Sequence, residues 1–415
     1  MGRSSLIMVM GFTTALLMIG SNISKVSDAA MDNYVYYNNS AIAHSIAGAG
    51  MNMASRALYE NPLWRDGFSN KDFGGGTFSV QVQDLGSNKV KMTSTATFSG
   101  ITRVVSCVLQ PSSFSKFNYY SSDDVDGYWV GGDTIWGPFH CNNTLNVAYT
   151  NGGSPVFMQR ATSLKGIKNY GNAQPVFKGG YDKGVNVTLP VNLAPLQTAA
   201  QSGGKYFTGA GGDVFIQFNS DGTVTWRQGG ASDWSGGGWS NTPITSFAPN
   251  GAVYLTGANL HVKGTVHGQL TVGVGGTTGS TTQGNMWLDN DIVYRDDPRH
   301  GYSTDMLGLV AENKLWITDN ADNRGPNNDF ILMASVFSRT DGLWAQNYGS
   351  RGVEGKLTTV GGQIQNVGGY TGVFSGNSII HGFLPGGTYY DDRLMNDAPP
   401  VFPTTGNFEV LSWFE

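Results

Sequence analysis

The stretch Ser4–Ile23, SSLIMVMGFTTALLMIGSNI, decides the fold, because it is apolar and carries no charge between Arg3 and Lys25. Three kinds of segment share this pattern: a removable secretory signal, a membrane anchor and the buried core of a polymer. A secretory signal would use Arg3 as its basic start and Leu6–Ile19 as its apolar region, with cleavage after Ala29. A membrane span needs about 20 apolar residues, and Ser4 to Ile23 is just long enough.

The chain continues past this stretch without a helix breaker, since no proline follows until Pro62. Steps of three, four and seven residues return to one helix face, and apolar or small residues recur with these steps at Met31, Val35, Ile42, Ile46, Ala49, Met53 and Ala57. The pattern predicts one helix from Ser4 to about Tyr59, roughly 80 Å long at ~1.5 Å per residue. Its amphipathic second half can pack on its own domain. Its first half needs lipid or copies of itself, and the candidate contact residues there are Leu6, Ile7, Val9, Met10, Phe12, Leu16, Leu17, Ile19 and Ile23.

Composition favours a mainly β protein after this helix. Of 415 residues, 59 are glycine, 12% are aromatic and only 13% are charged, which is typical of a folded chain with many tight turns. The net charge of −5 provides no basic surface for nucleic acid.

Two β patterns follow one another along the chain. Residues 75–109, GGTFSVQVQDLGSNKVKMTSTATFSGITRVVSCVL, alternate with period two and predict three antiparallel strands. From Gly251 onward, short apolar runs separated by Gly or Asn favour a β-solenoid or β-helix over a β-sandwich. We therefore divide the chain into an N-terminal helix (1–60), an antiparallel β head (61–110), an irregular β domain (111–250) and a β-helix-like domain (251–415).

The helix resembles that of type IV pilins, and most of all the PilX-type minor pilins and related large bacterial pilin-like proteins. The apolar run and its Ala-rich continuation NNSAIAHSIAGAGMNMASRALY carry this resemblance. In the C-terminal half, DNDIVYRDDPRHGYSTDMLGLVAENKLWITDN and YYDDRLMNDAPPVFPTTGNFEVLSWFE resemble a domain of the large pilin-like proteins. Leaders in this family end in glycine, which implies processing at Gly2. Ser5 or Ile7 stands where the family usually has an acidic residue.

The resemblance implies a structural subunit rather than an enzyme, with no cofactor. The helix would first anchor the chain in the bacterial inner membrane. The pilus assembly machinery would then extract it, and copies of the chain would polymerise into an extracellular filament at the cell surface. The β domains would serve adhesion, motility or display, with surface glycans as possible partners. A minor or tip pilin is one alternative.

A second alternative is a membrane-anchored or secreted β-helix protein that acts on or binds polysaccharide. Glycoside chemistry needs two carboxyl groups held across a groove, and three acidic segments offer carboxylates. We expect these residues to fill corners and turns instead, and we expect no metal site, although DDVDG in the second segment suits a calcium loop. The segments contain Asp289, Asp291, Asp296, Asp297, Arg299 and His300; Asp123, Asp124 and Asp126; and Asp391, Asp392 and Arg393.

The two cysteines, Cys107 and Cys141, form no CxxC pair and have no neighbouring Cys/His cluster. An exported chain favours one disulfide between them, and buried free thiols are the alternative.

Overall fold

The computed structural model describes residues 2–61, 64–86, 89–123, 127–149, 152–230, 234–277, 279–375 and 378–415, and for residues 3, 86 and 374 it describes the backbone alone. The predicted fold class is confirmed: one long N-terminal helix is followed by a mainly β chain. Contacts divide the chain into two compact units, which are residues 1–111 with 407–415, and residues 112–406.

The long helix, α1, runs from Arg3 to Glu60 without interruption. It begins after Gly2, whose backbone is extended, and it ends at Asn61, whose N–H donates to the Ala57 carbonyl. The absence of proline and the many Ala, Met and Leu residues explain its length.

The sheet of the first unit has the order β1-β2-β3-β4-β30, and the pairings of β1 to β4 are antiparallel. The predicted meander of three strands corresponds to β2, β3 and β4. Alternation along β3 turns Val90, Met92 and Ala96 inward, against α1. The strands are β1 Phe68–Phe73, β2 Gly76–Gly86, β3 Lys89–Phe98, β4 Ile101–Ser113 and β30 Thr404–Phe414.

The second unit consists of short strands that pair mostly in parallel with strands from neighbouring turns of the chain. Its first group is β5 Tyr119–Asp123, β6 Trp129–Val130, β7 Thr134–Ile135, β8 Phe139–Cys141, β9 Thr144–Ala148, β10 Val156–Phe157, β11 Ala161–Ser163, β12 Gly166–Tyr170, β13 Val176–Phe177 and β14 Tyr181–Lys183. Helix α2 Ala194–Gly203 follows this group.

The second group begins with β15 Lys205–Thr208, β16 Asp213–Phe218, β17 Thr223–Gly229 and β18 Ser240–Pro243, and continues after the short helix α3 Ile244–Phe247. The remaining strands are β19 Ala252–Thr256, β20 Leu260–Val266, β21 Gln269–Gly275, β22 Met286–Tyr294, β23 Met306–Ala311, β24 Leu315–Ile317, β25 Phe330–Ser338, β26 Leu343–Ala345, β27 Val353–Val367, β28 Gly372–Ser375 and β29 Ser378–Tyr389. The structure also describes 3-10 turns at Phe114–Lys116, Gly209–Gly211 and Asp392–Met395.

The parallel pairings show how the chain builds this unit. One ladder runs through β15, β19, β21, β23, β25 and β27. At β27 it continues into β5, and then into β8, β11 and β14. The chain therefore enters the ladder in its middle at β5, winds outward to β14, and re-enters at the opposite end at β15. The predicted boundary at residues 250/251 falls inside this ladder, since Lys205 pairs with Val253.

Residues 184–204 connect the two ends of the ladder and pack along its outer face. Leu193, Leu196 and Ala200 join a buried cluster with ladder residues such as Tyr120 and Tyr254. The hydroxyl of Tyr120 donates to the Val187 carbonyl at 2.6 Å, which fixes the connecting segment by a hydrogen bond as well as by apolar contact.

Candidate functional site: the exposed half of the long helix

The first half of α1 leaves its apolar side chains uncovered in the single chain. All nine predicted filament-core residues are exposed, with between 56% and 72% of their surface accessible; they are Leu6, Ile7, Val9, Met10, Phe12, Leu16, Leu17, Ile19 and Ile23. Removing a side chain of this size from water is worth about 1.5–3 kcal/mol. By length and composition this helix could cross a membrane, and none of its most apolar window is buried within the chain.

Three hydroxyl groups inside this half, those of Ser5, Thr13 and Thr14, donate hydrogen bonds within the helix itself. Thr13 donates its hydroxyl hydrogen bond to the Val9 carbonyl at 2.8 Å, and Thr14 donates to the Met10 carbonyl. Ser5 donates to the carbonyl of Gly2, the predicted processing residue, at 2.8 Å. Because buried polar groups are costly unless they are hydrogen-bonded, these local bonds make the surface suitable for an apolar environment.

The second half of α1 packs against the sheet through a narrow stripe of mostly small residues. The stripe consists of Ala43, Ala47, Gly50, Ala54 and Leu58, flanked by the buried Ile46 and Met51. A Cβ atom at Gly50 would lie 2.6 Å from Cδ2 of Phe78 and 2.7 Å from Oγ of Ser94. Glycine at this position therefore permits the close approach of helix and sheet.

The predicted helix-to-head residues lie beside this stripe. Ile46 is buried, Ile42, Ala49 and Ala57 are half-buried, and Met53 is exposed. The predicted run 42-46-49-53-57 has the same steps as the observed run 43-47-50-54-58, displaced by one residue, and one residue rotates the contact face by about 100°. Met31 and Val35 are exposed in the single chain. Sequence reasoning missed the stripe because it favoured the larger apolar residues, whereas the close contact uses the smaller ones.

Two polar contacts mark where the exposed half of α1 gives way to the packed half. Arg103 on β4 donates from Nε to Oγ of Ser40 at 2.7 Å. Nε2 of His44 lies 3.4 Å from Oε2 of Glu415. Contact with the sheet thus begins near residue 40.

The predicted disulfide between Cys107 and Cys141 is wrong, since both cysteines are free and buried. Cys107 lies in the helix–sheet core with Met92, and Cys141 lies in a different apolar cluster with Phe139. Each thiol fills space in its own core, and burial raises the pKa of the Cys107 thiol.

The carboxylates of the DNDIVYRDDPRHG segment are occupied by local donors. Oδ2 of Asp289 accepts hydrogen bonds from the indole of Trp234 and from His261, each at 2.7 Å. Oδ1 of Asp291 accepts from the Ile331 N–H at 2.8 Å, and burial raises the pKa of the Asp291 carboxyl.

The remaining residues of that segment form a corner of the fold. Asp296 pairs with Arg295 at 2.6 Å, and Asp297 pairs with Arg299 at 2.7 Å. The hydrogen bond from Arg295 lowers the pKa of the Asp296 carboxyl. Partial burial acts to raise the pKa of the Asp297 carboxyl, but the combined hydrogen bonds and charge of Arg299 lower it overall. His300 is exposed.

The other two acidic segments also carry local bonds. Both carboxylate oxygens of Asp391 accept from the Arg393 guanidinium, at 2.9 and 2.6 Å, and Asp392 follows in the same 3-10 turn. Asp123 accepts a hydrogen bond from the side-chain amide of Asn143. Asp124 and Asp126, on which the calcium hypothesis depends, lie outside the described residues.

Among the described residues, one group of metal-type donors comes together, at His267, Asp296 and Asp305. Asp305 is fully buried, and the chain already satisfies it. Its Oδ1 faces Nδ1 of His267 at 3.0 Å and accepts from the Gly268 N–H at 2.9 Å, while Oδ2 accepts from the Asp296 N–H at 3.1 Å. The group ties two turns of chain together.

A row of stacked rings, which we call the aromatic ladder, runs along successive parallel strands. Neighbouring rings stand in register, with centroids 4.3 to 6.4 Å apart, and stack most closely where Phe215 meets His261 at an angle of 12°. Ring faces therefore cover one another and leave mainly edges at the surface, so the faces that a sugar would stack on are occupied. The ladder consists of Phe215, His261, Trp287, Trp316 and Trp344.

Comparison with known proteins adds a structural similarity. Among solved structures, the chain is similar to the competence-associated pilin ComZ from Thermus thermophilus, with 13% sequence identity and a TM-score of 0.37; the match covers 91% of this chain and 97% of that chain. No protein-family model and no curated protein matches the chain. At this identity and score, the similarity decides neither fold nor function.

Proposed function

We propose that this protein is a structural subunit of a type IV pilus-like filament and that it polymerises through the first half of α1. The observation that carries the proposal is the apolar surface from Leu6 to Ile23, which is exposed in the chain by itself. Stable soluble monomers rarely expose so long a continuous apolar surface to water. Lipid and the helices of other copies are the two apolar environments that suit an unbroken helix, because its backbone groups are hydrogen-bonded within it.

Before assembly, the apolar run would span the bacterial inner membrane. The first charged side chains on either side are Arg3 and Lys25, which suits a span of about 20 residues. Processing at Gly2 and extraction by pilus assembly machinery would follow. Moving the helix from lipid into a helix bundle exchanges one apolar environment for another, so the step does not require apolar side chains to remain in water.

After assembly, the helices would form the filament core at the cell surface, and the β units would lie outside it. The packed second half of α1 supports this role, because the stripe at Gly50 holds the sheet close to the helix. Adhesion, motility or display would then depend on the surfaces of the β units. In the acidic segments, local donors hold the carboxylates of Asp289, Asp296, Asp297 and Asp391, which favours the structural role over polysaccharide chemistry.

The test compares surface material sheared from cells that make the protein with material from cells that lack its gene. We expect filaments only in the first sample, with antibody against the β units bound along their whole length. Antibody confined to one end would indicate a minor or tip subunit instead. A chain found only as a soluble monomer that begins near residue 30 would contradict the proposal and identify Ser4–Ile23 as a secretory signal.

A further inference from the structure

The sheet of the first unit has two edges that differ in chemistry. At the β1 edge, Lys71 and Asp72 are exposed, Asn70 has a positive φ of 43°, and the pairing with β2 shifts register between Phe68 and Lys71. Charges and bulges of this kind protect an edge strand from pairing with another chain. The β1 edge therefore carries the usual protection.

The opposite edge, β30, carries one half-buried charge, Glu409, and a glycine with a positive φ of 79°, Gly406, but the residues from Val410 to Phe414 are uncharged. Val410, Leu411, Trp413 and Phe414 are exposed by 58%, 39%, 43% and 64%. Neighbouring residues of a strand point to opposite faces, so both faces of the end of β30 expose apolar side chains, whereas Phe408 earlier in the strand packs against the helix–sheet core. An exposed apolar edge is a liability in a monomer, which indicates that something covers it when the protein functions.

The end of β30 is linked to α1 through Glu415, which follows the strand. Trp413 donates from its indole to Oε1 of Glu415 at 2.7 Å, and Oε2 of Glu415 faces His44 on α1 at 3.4 Å. Residues seven apart lie on the same helix face, so Tyr37 shares the face of His44 two turns nearer the apolar run, and 70% of its surface is exposed. The exposed residues of β30 and the exposed residues of α1 therefore lie on either side of the His44–Glu415 contact.

We propose that a second copy of this chain covers the β30 edge when the helices assemble. The inference rests on the proposed function, because the helix contact between copies is what extends onto this edge. A contact that extends the proposed filament is heterologous, so the β30 edge of each copy would meet a different surface of the next copy. Contacts of this kind generate open filaments rather than closed dimers.

Photo-crosslinking of the full-length chain in sheared filaments and membranes tests the inference. A photoreactive phenylalanine analogue replaces Phe414 on β30, Phe73 on the protected edge, or Leu16 on α1, in separate variants. All three positions are exposed, so the replacements should leave the fold intact, and continued protection of the Cys107 thiol checks this. We expect covalent dimers from positions 16 and 414, identified by mass spectrometry as two copies of this chain, and several-fold fewer from position 73.

The outcomes separate the edge contact from the proposed function. Dimers from position 16 without dimers from position 414 overturn the edge contact and leave helix polymerisation intact. Dimers from position 414 alone support the edge contact and overturn polymerisation through the helix. Equal yields from 414 and 73 overturn the distinction between the edges, and no dimers from 16 or 414 overturn both proposals.

A second measurement uses paired substitutions at the two edges. Phe414→Ser and Phe73→Ser each remove an exposed ring, and surface substitutions of this kind normally change stability little. We expect Phe414→Ser to reduce filament yield several-fold while Phe73→Ser leaves the yield near that of the unaltered chain. Equal yields would contradict the edge contact.

Discussion

The two halves of α1 share one continuous helix and differ in what covers them. From Leu6 to Ile23 the side chains are apolar on all sides and exposed, whereas from Ala43 to Leu58 one narrow stripe is buried against the sheet. The helix is unbroken because helix formation depends on local propensity, and both halves have it. Their covers differ because the small residues of the second half face the sheet, as at Gly50, whereas a Cβ atom at Gly11 or Gly20 in the first half would meet nothing within 4 Å.

The comparison shows that one helix can serve two roles: its amphipathic half packs on its own sheet, and its uniformly apolar half is left for another partner. The packed half depends on a defined partner in its own chain, so its sensitivity to substitution should be local and steric. The exposed half is apolar on all sides, so its sensitivity should come from charge more than from shape.

The largest loss of membrane insertion and filament assembly is expected from a charge in the middle of the exposed half. Leu16→Lys places an ammonium group at the centre of the apolar run, where a charge costs roughly 2.5–3.5 kcal/mol in a membrane span. We expect the chain to be lost from the membrane fraction and sheared filaments to disappear. Membrane fractionation and electron microscopy measure the two effects.

Ser24→Lys is the matched control, since Ser24 is also exposed on α1 but lies beyond the run, next to Lys25. Filament yield should stay near that of the unaltered chain. If both variants assemble normally, the exposed half is not an assembly surface.

In the packed half, Gly50→Ala should destabilise the first unit. The new methyl group would lie 2.6 Å from Cδ2 of Phe78, and overpacking of this kind costs about 1–3 kcal/mol. Better helix propensity offsets about 0.5–1 kcal/mol of that cost. Labelling of the buried Cys107 thiol should accelerate, by about tenfold for every 1.4 kcal/mol, whereas Cys141 in the other unit should react as before.

Gly48→Ala makes the same chemical change two residues away, where a Cβ atom meets nothing within 4 Å. It should slow Cys107 labelling slightly, because alanine favours the helix. Slower Cys107 labelling in Gly48→Ala together with faster labelling in Gly50→Ala would support the assignment of the stripe. A change in the same direction in both variants would contradict it.

A smaller effect is expected on the pH dependence of the stability of the first unit, through the core under the packed half. Burial raises the pKa of the Cys107 thiol above its ordinary value of 9.0. Protonation is therefore tighter in the folded state, so this contribution to stability is complete below about pH 9 and is lost as the pH rises above it. We expect the denaturant midpoint of the first unit to fall more steeply above pH 9 in the unaltered chain than in Cys107→Ala. Parallel pH curves for the two proteins would exclude this contribution.

The smallest change in stability is expected at Ser40, where the two halves of α1 meet. Ser40→Ala removes the 2.7 Å hydrogen bond from Arg103, worth roughly 0.5–1.5 kcal/mol, but gains some helix propensity. Ser45→Ala has the same gain and removes only the bond of Ser45 to the Ala41 carbonyl. Cys107 labelling should be faster in Ser40→Ala than in Ser45→Ala, and identical rates would mean that the Arg103 contact contributes no stability.

The sequence predicted the elements that depend on local pattern. The helix was placed within one residue at each end, and the meander of β2, β3 and β4 follows the period-two alternation of residues 75–109. The register of the contact stripe was one residue off, because hydrophobicity favours Ile42 and Met53, whereas close packing selects Ala43 and Gly50.

Local sequence patterns could not predict which distant strands pair. Nothing in the local sequence indicates that β27 pairs with β5, or that residues 184–204 connect opposite ends of one ladder. The cysteines were misjudged for a related reason, since their spacing does not reveal that each belongs to a separate core. The β30 edge was likewise invisible, because its strand pairs beside β4 from the far end of the chain.

A three-dimensional reconstruction of the sheared filaments by electron cryomicroscopy tests the central claim most directly. We predict that residues 6–23 of neighbouring copies pack side by side along the filament axis, with the β units outside. A filament whose core contains no such helices, or a chain whose residues 6–23 fold against its own β units, would contradict the account.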